Sequence, residues 1–212
     1  MMKSKFYIVK ETMPKIPTLL LYLFIMQQLK GCDTVLDLGC GASSPIRFVK
    51  AKTFGIDADD RVIEKAKKKR THDNLVVLDV KKIGTTFAAK SFDAVVALDF
   101  IEHLNKKDGY RLTNEMEKIA RKKVLIFTPN GFMIQAGPSE FDRHLSGWTV
   151  EEFRNLDYKI YGMYGPKFLR GDYHGIRFGP IIFWSLISEF LQWSYIVYNP
   201  KKSAALLCVK NL

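Results

Sequence analysis

The stretch VLDLGCG at residues 35–41 decides the fold. Its strand formers lead to Asp37, and the two glycines that follow, Gly39 and Gly41, predict a tight turn after a strand. Twenty residues after Asp37, the apolar run TFGID ends in a second carboxylate, Asp57. A glycine-rich turn lets the backbone approach a bound nucleoside, and an acidic residue about 20 positions on can accept hydrogen bonds from both ribose hydroxyls. The pair therefore predicts a nucleoside site.

Strand-like and helix-like patterns alternate along the chain. Strands are predicted near 34–38, 53–57, 75–79, 92–98, 123–128, 158–165 and 203–210. Helical patterns lie near 17–30, 45–50, 60–70, 108–121 and 150–156. Parallel strands joined by helical crossovers produce this alternation, and helices on both faces explain why the strands are apolar almost throughout. The pattern predicts an α/β protein.

Length and composition predict one domain over 1–212, because 212 residues with 47% hydrophobic content support a single sizeable core. Within it, 1–32 is an N-terminal helical segment. Residues 166–202 form an insertion between the last two strands, since a hairpin there would need only a few residues. Three cysteines without close spacing favour a reducing, cytoplasmic environment, and the charged N-terminus does not resemble a signal peptide.

The net charge of +11 comes from 33 basic and 22 acidic residues. Much of the excess is local, as in KAKKKR at 65–70, and is expected to form a solvated surface. Such an excess can also draw a protein to nucleic acid, anionic lipid or phosphorylated substrates, and it does not choose among them.

Five ordered motifs carry a resemblance to a known family: VLDLGCG, GID, LVVLDV, FDAVVALDFIEHL and KVLIFTPNGF. In order and spacing they resemble class I S-adenosylmethionine-dependent methyltransferases, of the type that acts on small molecules or glycans, over about residues 33–130. The resemblance implies a Rossmann-like, seven-stranded, mostly parallel sheet with the last strand antiparallel and helices on both faces. It also implies S-adenosyl-L-methionine as the cofactor. One departure is Ser43, where the family often has a third glycine.

The same resemblance assigns the cofactor contacts. It implies that Asp37, Gly39 and Gly41 line the methionine end of the cofactor, that Asp57 holds the ribose and that Asp79 holds the adenine amino group. The full predicted set is Asp37, Gly39, Cys40, Gly41, Asp57, Ala58, Asp79, Val80 and Asp99. Carboxylates suit a ribose diol and an exocyclic amine because each accepts charge-assisted hydrogen bonds. Capping of helices by strand-end carboxylates is the alternative.

The segment DFIEHL at 99–104 supplies the predicted catalytic residues Asp99, Glu102 and His103. Methyl transfer from a sulfonium is an in-line displacement, so a base is needed only if the acceptor must lose a proton. His103 titrates near neutrality and is the candidate base. The D-x-x-E-H pattern also resembles the E-x-x-E-H metal ligands of some magnesium-dependent O-methyltransferases, with His144 as a distant fourth ligand. For this segment the roles of base, metal ligand and positioning group all stay open. The predicted site does not include a metal.

Two later segments are candidates for the acceptor. The loop HLSGW at 144–148 places His144 and Trp148 where they can bind a sugar or another polyol, although a loop that packs its own tryptophan is equally expected. The apolar run at 180–198 is interrupted by Glu189, which would cost several kcal/mol in lipid, so it is not predicted to span a membrane. It is expected to cover the sheet or another subunit, or to dock shallowly on a membrane surface.

Together these patterns predict O-methylation of a small-molecule, sugar or lipid-linked glycan acceptor. A looser resemblance to uncharacterised microbial methyltransferases of surface-glycan synthesis favours the sugar. The alternatives are an RNA methyltransferase, a non-catalytic S-adenosylmethionine-binding module and an aminopropyl transferase. Methylation of base amino groups is disfavoured, because the place of the usual Asp/Asn-Pro-Pro-aromatic turn reads DFIE.

Overall fold

The computed structural model describes residues 16–134, 143–171 and 174–212, with side chains from Leu21 onward. Seven strands form one sheet. They are β1 (Thr34–Leu38), β2 (Lys52–Asp57), β3 (Asn74–Val77), β4 (Phe92–Leu98), β5 (Ala120–Pro129), β6 (Lys159–Pro166) and β7 (Ser203–Asn211). Their order is β3-β2-β1-β4-β5-β7-β6, and β7 is antiparallel to both of its neighbours while the other pairs are parallel. The predicted sheet is confirmed.

Six α-helices are described around this sheet. They are α1 (Ile16–Gln28), α2 (Asp60–Lys69), α3 (Ile83–Thr86), α4 (Lys106–Ile119), α5 (Val150–Asn155) and α6 (Ile181–Ser194). Alternate residues of a strand point to opposite faces, so each strand feeds two hydrophobic clusters. Leu36 of β1 packs with α4 on one face, and Val35 packs with α1 on the other. Helices on both faces are therefore required to bury the sheet.

Three predicted elements differ from the structure. The helix expected at 45–50 is a short 3-10 turn, Pro45–Phe48, because the Ser44 Oγ accepts the Ile46 N–H and the chain turns extended again at Val49. Strand β5 begins at Ala120 rather than near 123, and β3 ends at Val77 rather than 79. Residues 1–15 of the predicted N-terminal segment lie outside the described residues.

The insertion at 166–202 consists mainly of helical segments. Its described residues include α6 and the 3-10 turns Lys167–Leu169, Ile196–Tyr198 and Pro200–Lys202. The helix α6 lies along β6, the edge strand of the sheet, through hydrogen bonds from its polar residues. Within the described ranges, every helix is too short or too polar to cross a membrane.

Candidate active site

The predicted cofactor residues gather at one end of the sheet, where the carboxyl ends of the parallel strands β1 to β4 lie side by side. Asp37 lies near the end of β1 and Asp57 ends β2, while Asp79 and Asp99 follow β3 and β4. Their role as cofactor contacts stays a prediction.

The turn after β1 depends on its glycines. Gly39 and Gly41 have φ angles of +64° and +60°, in the left-handed region that other residues rarely adopt. A Cβ on Gly39 would lie 1.9 Å from the ring of Phe100, which follows β4. No side chain larger than hydrogen fits at Gly39, so this turn packs directly against the one that carries Asp99.

Asp37 is held by two side chains that the sequence patterns do not single out. Its carboxylate is 1% exposed. One oxygen accepts hydrogen bonds from the Ser44 Oγ at 2.6 Å and from the His72 Nε2 at 3.1 Å. Because a carboxylate only accepts, the Nε2 of His72 carries the proton. Ser44 and His72 therefore position Asp37 from two different crossovers.

The carboxylate of Asp57 is fixed by backbone donors. Its Oδ2 accepts the N–H of Gly41 at 3.1 Å, and its Oδ1 accepts the N–H of Asp59 at 3.0 Å. The exposed Asp79 accepts the N–H of Lys81 at 2.9 Å and so caps the 3-10 turn Val80–Lys82. Helix capping, the alternative role, thus applies to Asp79.

Three other residues of the predicted cofactor set differ in exposure. Ala58 is exposed and Val80 is buried. Cys40 donates its N–H to the Ile56 carbonyl at 2.9 Å, and burial, followed by the nearby carboxylates, raises the pKa of its thiol well above the usual range. The Cys40 thiol is therefore a buried packing group, and only the backbone of Cys40 follows the turn.

Asp99 adopts a strained conformation at the end of β4. Its φ is +52°, and its N–H donates to the Phe127 carbonyl at 2.9 Å. Non-glycine residues held in this region cost free energy and cluster at functional sites. Asp99 is exposed to solvent, and partial desolvation by the protein atoms beside it raises the pKa of its carboxyl group. Burial raises the pKa of Tyr22 on α1, and the nearby carboxylate of Asp99 raises it further.

Glu102, His103 and His144 form a compact cluster beside Asp99. Each offers one atom that could bind a metal ion, and these three atoms lie within 4.8 Å of one another. Glu102 is 2% exposed and accepts the Thr128 hydroxyl at 2.8 Å. The amides of Leu145 and Ser146 donate to the Glu102 carbonyl at 2.8 and 3.0 Å, which docks the 143–148 loop and brings His144 to the cluster.

Backbone carbonyls set the orientation of both histidine rings. The Nδ1 of His144 lies 2.8 Å from the Met133 carbonyl, and the Nδ1 of His103 lies 3.2 Å from that of Arg143. A carbonyl only accepts, so Nδ1 carries the proton in each ring, and Nε2 of the neutral ring is an acceptor or a ligand. The ring centroids are 4.9 Å apart in an edge-on contact.

Burial shifts the pKa values in this cluster toward the neutral forms. Burial lowers the pKa of His144. The hydrogen bond to the Met133 carbonyl opposes this shift, and His103 adds to it. Burial raises the pKa of Glu102, and the Asp99 carboxylate raises it further. One carboxylate and two imidazoles also form a donor set that suits a divalent transition metal such as Mn²⁺ or Zn²⁺. Asp99, the first residue of D-x-x-E-H, lies outside this three-residue group.

Trp148 does not face the cleft. Its side chain is fully buried, its Nε1 donates to the Ser146 Oγ at 3.0 Å, and its ring stacks on Phe153 with centroids 5.3 Å apart. We therefore correct the assignment of Trp148 to acceptor binding: this ring packs the loop that carries His144. His144 is also largely buried, and its ring belongs to the cluster.

Comparison with known proteins gives a match along the motif region. A protein-family model described as a methyltransferase domain matches residues 36–128. This region contains part of β1, all of β2 to β4, most of β5 and every predicted cofactor residue. The chain contains a methyltransferase domain. It is an enzyme, and this match is consistent with the S-adenosylmethionine-dependent class, and with S-adenosylmethionine as the cofactor, that the sequence motifs predict.

Solved structures share the fold of this methyltransferase. An S-adenosylmethionine-dependent methyltransferase from Archaeoglobus fulgidus is 17% identical, with 90% of this chain and 94% of that chain covered and a TM-score of 0.60. The methyltransferase domain of bacterial CtHen1 is 17% identical, with 92% and 100% covered and a TM-score of 0.57. The magnesium protoporphyrin IX methyltransferase of Synechocystis, solved with S-adenosylhomocysteine, is 13% identical, with 69% and 75% covered and a TM-score of 0.51. A search of curated proteins finds no match.

Proposed function

We propose that the methyltransferase methylates a hydroxyl oxygen of a small-molecule, sugar or lipid-linked glycan acceptor. The observation that carries this proposal is the cluster of Glu102, His103 and His144 at the carboxyl edge of the sheet. Two imidazoles with acceptor nitrogens and a buried carboxylate suit a hydroxyl group, which must lose a proton when it is methylated.

The side chains have distinct roles in this proposal. When bound, S-adenosylmethionine supplies an electrophilic methyl group, and Asp57 and Asp37 lie where they can hold its ribose and methionine ends. His103 and His144 hold the acceptor hydroxyl through Nε2, and one of them removes its proton. The carbonyls of Met133 and Arg143 keep both rings in the tautomer that can accept that proton. These residues would hold the hydroxyl oxygen in line with the methyl group and take up the proton that methylation releases.

The acceptor is tested by transfer of labelled methyl groups from S-adenosylmethionine to fractionated cell extract. Label in a glycan, lipid or small-molecule fraction, stable to mild base as an ether, supports the proposal. Base-labile label indicates a carboxyl ester instead. Label in RNA that is released by ribonuclease supports the alternative of an RNA methyltransferase.

The role of the cluster is tested by His144→Ala and His103→Ala, with exposed Glu64→Gln on α2 as a matched control. Loss of a general base lowers the turnover rate by about 100-fold or more. Full activity of both histidine variants across neutral and alkaline pH contradicts the proposed role.

The same three donors fit a divalent cation, which would polarise the acceptor oxygen. Titration of the purified protein with Mn²⁺, followed by calorimetry, measures binding directly. Binding that is lost in Glu102→Gln, together with activity that is lost on chelation, supports a metal. Activity undiminished by a strong chelator, with no Mn²⁺ binding, supports the base alone.

A further inference from the structure

The fully buried residues of helix α6 are polar, whereas its most exposed residues are apolar, which is the reverse of the usual amphipathic arrangement. Ser188 and Gln192 are 0% and 3% exposed. The Oε1 of Gln192 accepts the Gly165 N–H at 2.6 Å, and its Nε2 donates to the Gly162 carbonyl at 2.7 Å. Both backbone groups belong to the edge strand β6. The polar face of α6 thus covers a sheet edge that would otherwise present unpaired backbone groups.

The one charged residue of α6 is also turned toward the protein. Glu189 is partly buried, and a carboxylate oxygen lies 3.8 Å from the guanidinium of Arg170. The same guanidinium donates to the Ser188 Oγ at 2.8 Å. With these groups engaged on the inner face, the outer face of α6 is left to apolar side chains.

The outer face forms an exposed apolar stripe. Ile182, Leu186 and Phe190 are 76%, 64% and 73% exposed, and their spacing of four residues places them in one row along the helix. Phe183 lies beside the row and is 55% exposed. The apolar surface continues at Trp193 into a groove of about 320 Å³ that α1 helps to form. Exposed patches of this kind mark interaction sites.

Exposed basic residues precede and follow α6 in the sequence. Exposed Lys167 and Arg177 precede α6, and exposed Lys202 follows it. Segment 166–202 contains five basic and two acidic residues, which gives it a net charge of +3. Exposed tyrosines, Tyr195 and Tyr198, lie just past the helix end. Apolar, aromatic and cationic side chains together are typical of a helix that lies in the headgroup region of a bilayer.

We propose that α6 docks the methyltransferase on an anionic lipid surface. The charge favours lipid over a second copy of the chain, because a two-fold dimer through this face would bring like-charged flanks together. Its 14 residues extend about 21 Å, against a hydrocarbon core of about 30 Å, so the helix lies along the surface. Lys167 of the same insertion donates to the carbonyl of Asn130, just past β5, at 2.6 Å, so the docking segment also contacts the carboxyl ends of the strands.

The test is co-sedimentation of the full chain with vesicles of phosphatidylcholine, alone or mixed with phosphatidylglycerol. Binding is expected only with phosphatidylglycerol and is expected to weaken at high salt. The double substitution Leu186→Ser and Phe190→Ser is expected to lower the affinity at least tenfold, because two exposed apolar anchors are lost. Val76→Ser with Val77→Ser is the matched control, since both valines are 50% exposed on β3, at the opposite edge of the sheet.

Three outcomes would overturn the proposal. They are no binding to either vesicle, equal binding of the Leu186/Phe190 variant and the unmutated chain, and binding unchanged by Arg177→Gln with Lys202→Gln. A concentration-dependent dimer in sedimentation velocity that the Leu186/Phe190 variant abolishes, without vesicle binding, assigns the stripe to a second copy. Circular dichroism and thermal unfolding of each variant verify that the fold is retained.

Discussion

Single residues at the ends of β1 and β4 hold the active-site edge in conformations that the chain would not adopt alone. Gly39 has a left-handed φ, and so does Asp99 in the turn after the neighbouring strand β4. The ring of Phe100 fills the space where a Gly39 side chain would stand. The two turns are therefore coupled by contact, and a change at Gly39 disturbs the position of Asp99.

Gly39 and its neighbour Gly41 provide a matched pair of substitutions. Gly39→Ala combines left-handed strain with a collision against Phe100 and is expected to lower the free energy of unfolding by about 2 kcal/mol or more. Gly41→Ala adds a Cβ that meets nothing within 4 Å, so only the strain of about 1–2 kcal/mol is expected. Urea unfolding measures both. Equal losses would show that the contact with Phe100 contributes nothing.

Asp57 is predicted to bind the cofactor ribose. Asp57→Ala removes a charged acceptor and is expected to weaken S-adenosylmethionine binding by about 1.5–3 kcal/mol, which is roughly 10- to 150-fold in Kd. Isothermal titration calorimetry measures this change, with exposed Asp60→Ala as the control. An unchanged Kd in Asp57→Ala would remove Asp57 from the cofactor site.

Among the elements, strands are predicted from the sequence more reliably than the segments that complete the site. Strands β1, β2 and β4 are buried on both faces, so their apolar runs fix them within one residue. The capping box of Thr149 and Glu152 likewise places α5. These signals are local, which is why the sequence contains them.

The cluster of Glu102, His103 and His144 depends on contacts that no local pattern encodes. His144 reaches His103 because two loop amides bind the carbonyl of Glu102, about 40 residues earlier in the chain. The position of His72 on Asp37 depends in the same way on the pairing of β2 with β3. Sequence patterns identify His103 and His144 as candidates but not His72, and only the tertiary structure decides which side chains meet.

Gln192 stabilises the junction between α6 and β6. Gln192→Ala leaves two buried backbone groups of β6 without partners, so a loss of about 2 kcal/mol or more in the free energy of unfolding is expected. Exposed Ser194→Ala on the same helix is the control. Thermal and urea unfolding report the difference, and a Gln192 variant as stable as the Ser194 variant would contradict the edge-covering role.

At the scale of the whole molecule, the carboxylate of Asp93 joins three central strands, β1, β4 and β5. It lies at their amino-terminal ends, whereas the candidate active site lies at the carboxyl ends. Asp93 of β4 is 3% exposed and accepts the Asp33 N–H at 2.7 Å, just before β1. Arg121 of β5 donates to it at 3.0 Å, and the Lys122 ammonium lies 3.3 Å away. Burial alone would raise the pKa of Asp93, but these donors outweigh it and lower the pKa.

This lowered pKa predicts a pH dependence of stability. A group with a depressed pKa in the folded state stabilises the fold above its unfolded pKa of about 3.9, and the contribution is lost as pH falls through the folded value. Asp93→Asn is therefore expected to be less stable than the unmutated protein at pH 7, and the gap is expected to narrow below about pH 4. Urea unfolding at several pH values measures it. A gap that is constant from pH 7 to pH 3 would exclude the ionised Asp93 as its source.

The hydrogen bonds of Asp57 bear on the thermodynamics of cofactor binding. The amides of Gly41 and Asp59 each occupy one lone pair of a different carboxylate oxygen, and each oxygen keeps a second lone pair. The fold itself thus fixes the rotamer, and one acceptor position on each oxygen is left for the predicted contacts with the ribose hydroxyls. The conformational entropy of this side chain is lost during folding rather than during binding, so the predicted ribose contact forms at a site that is already ordered.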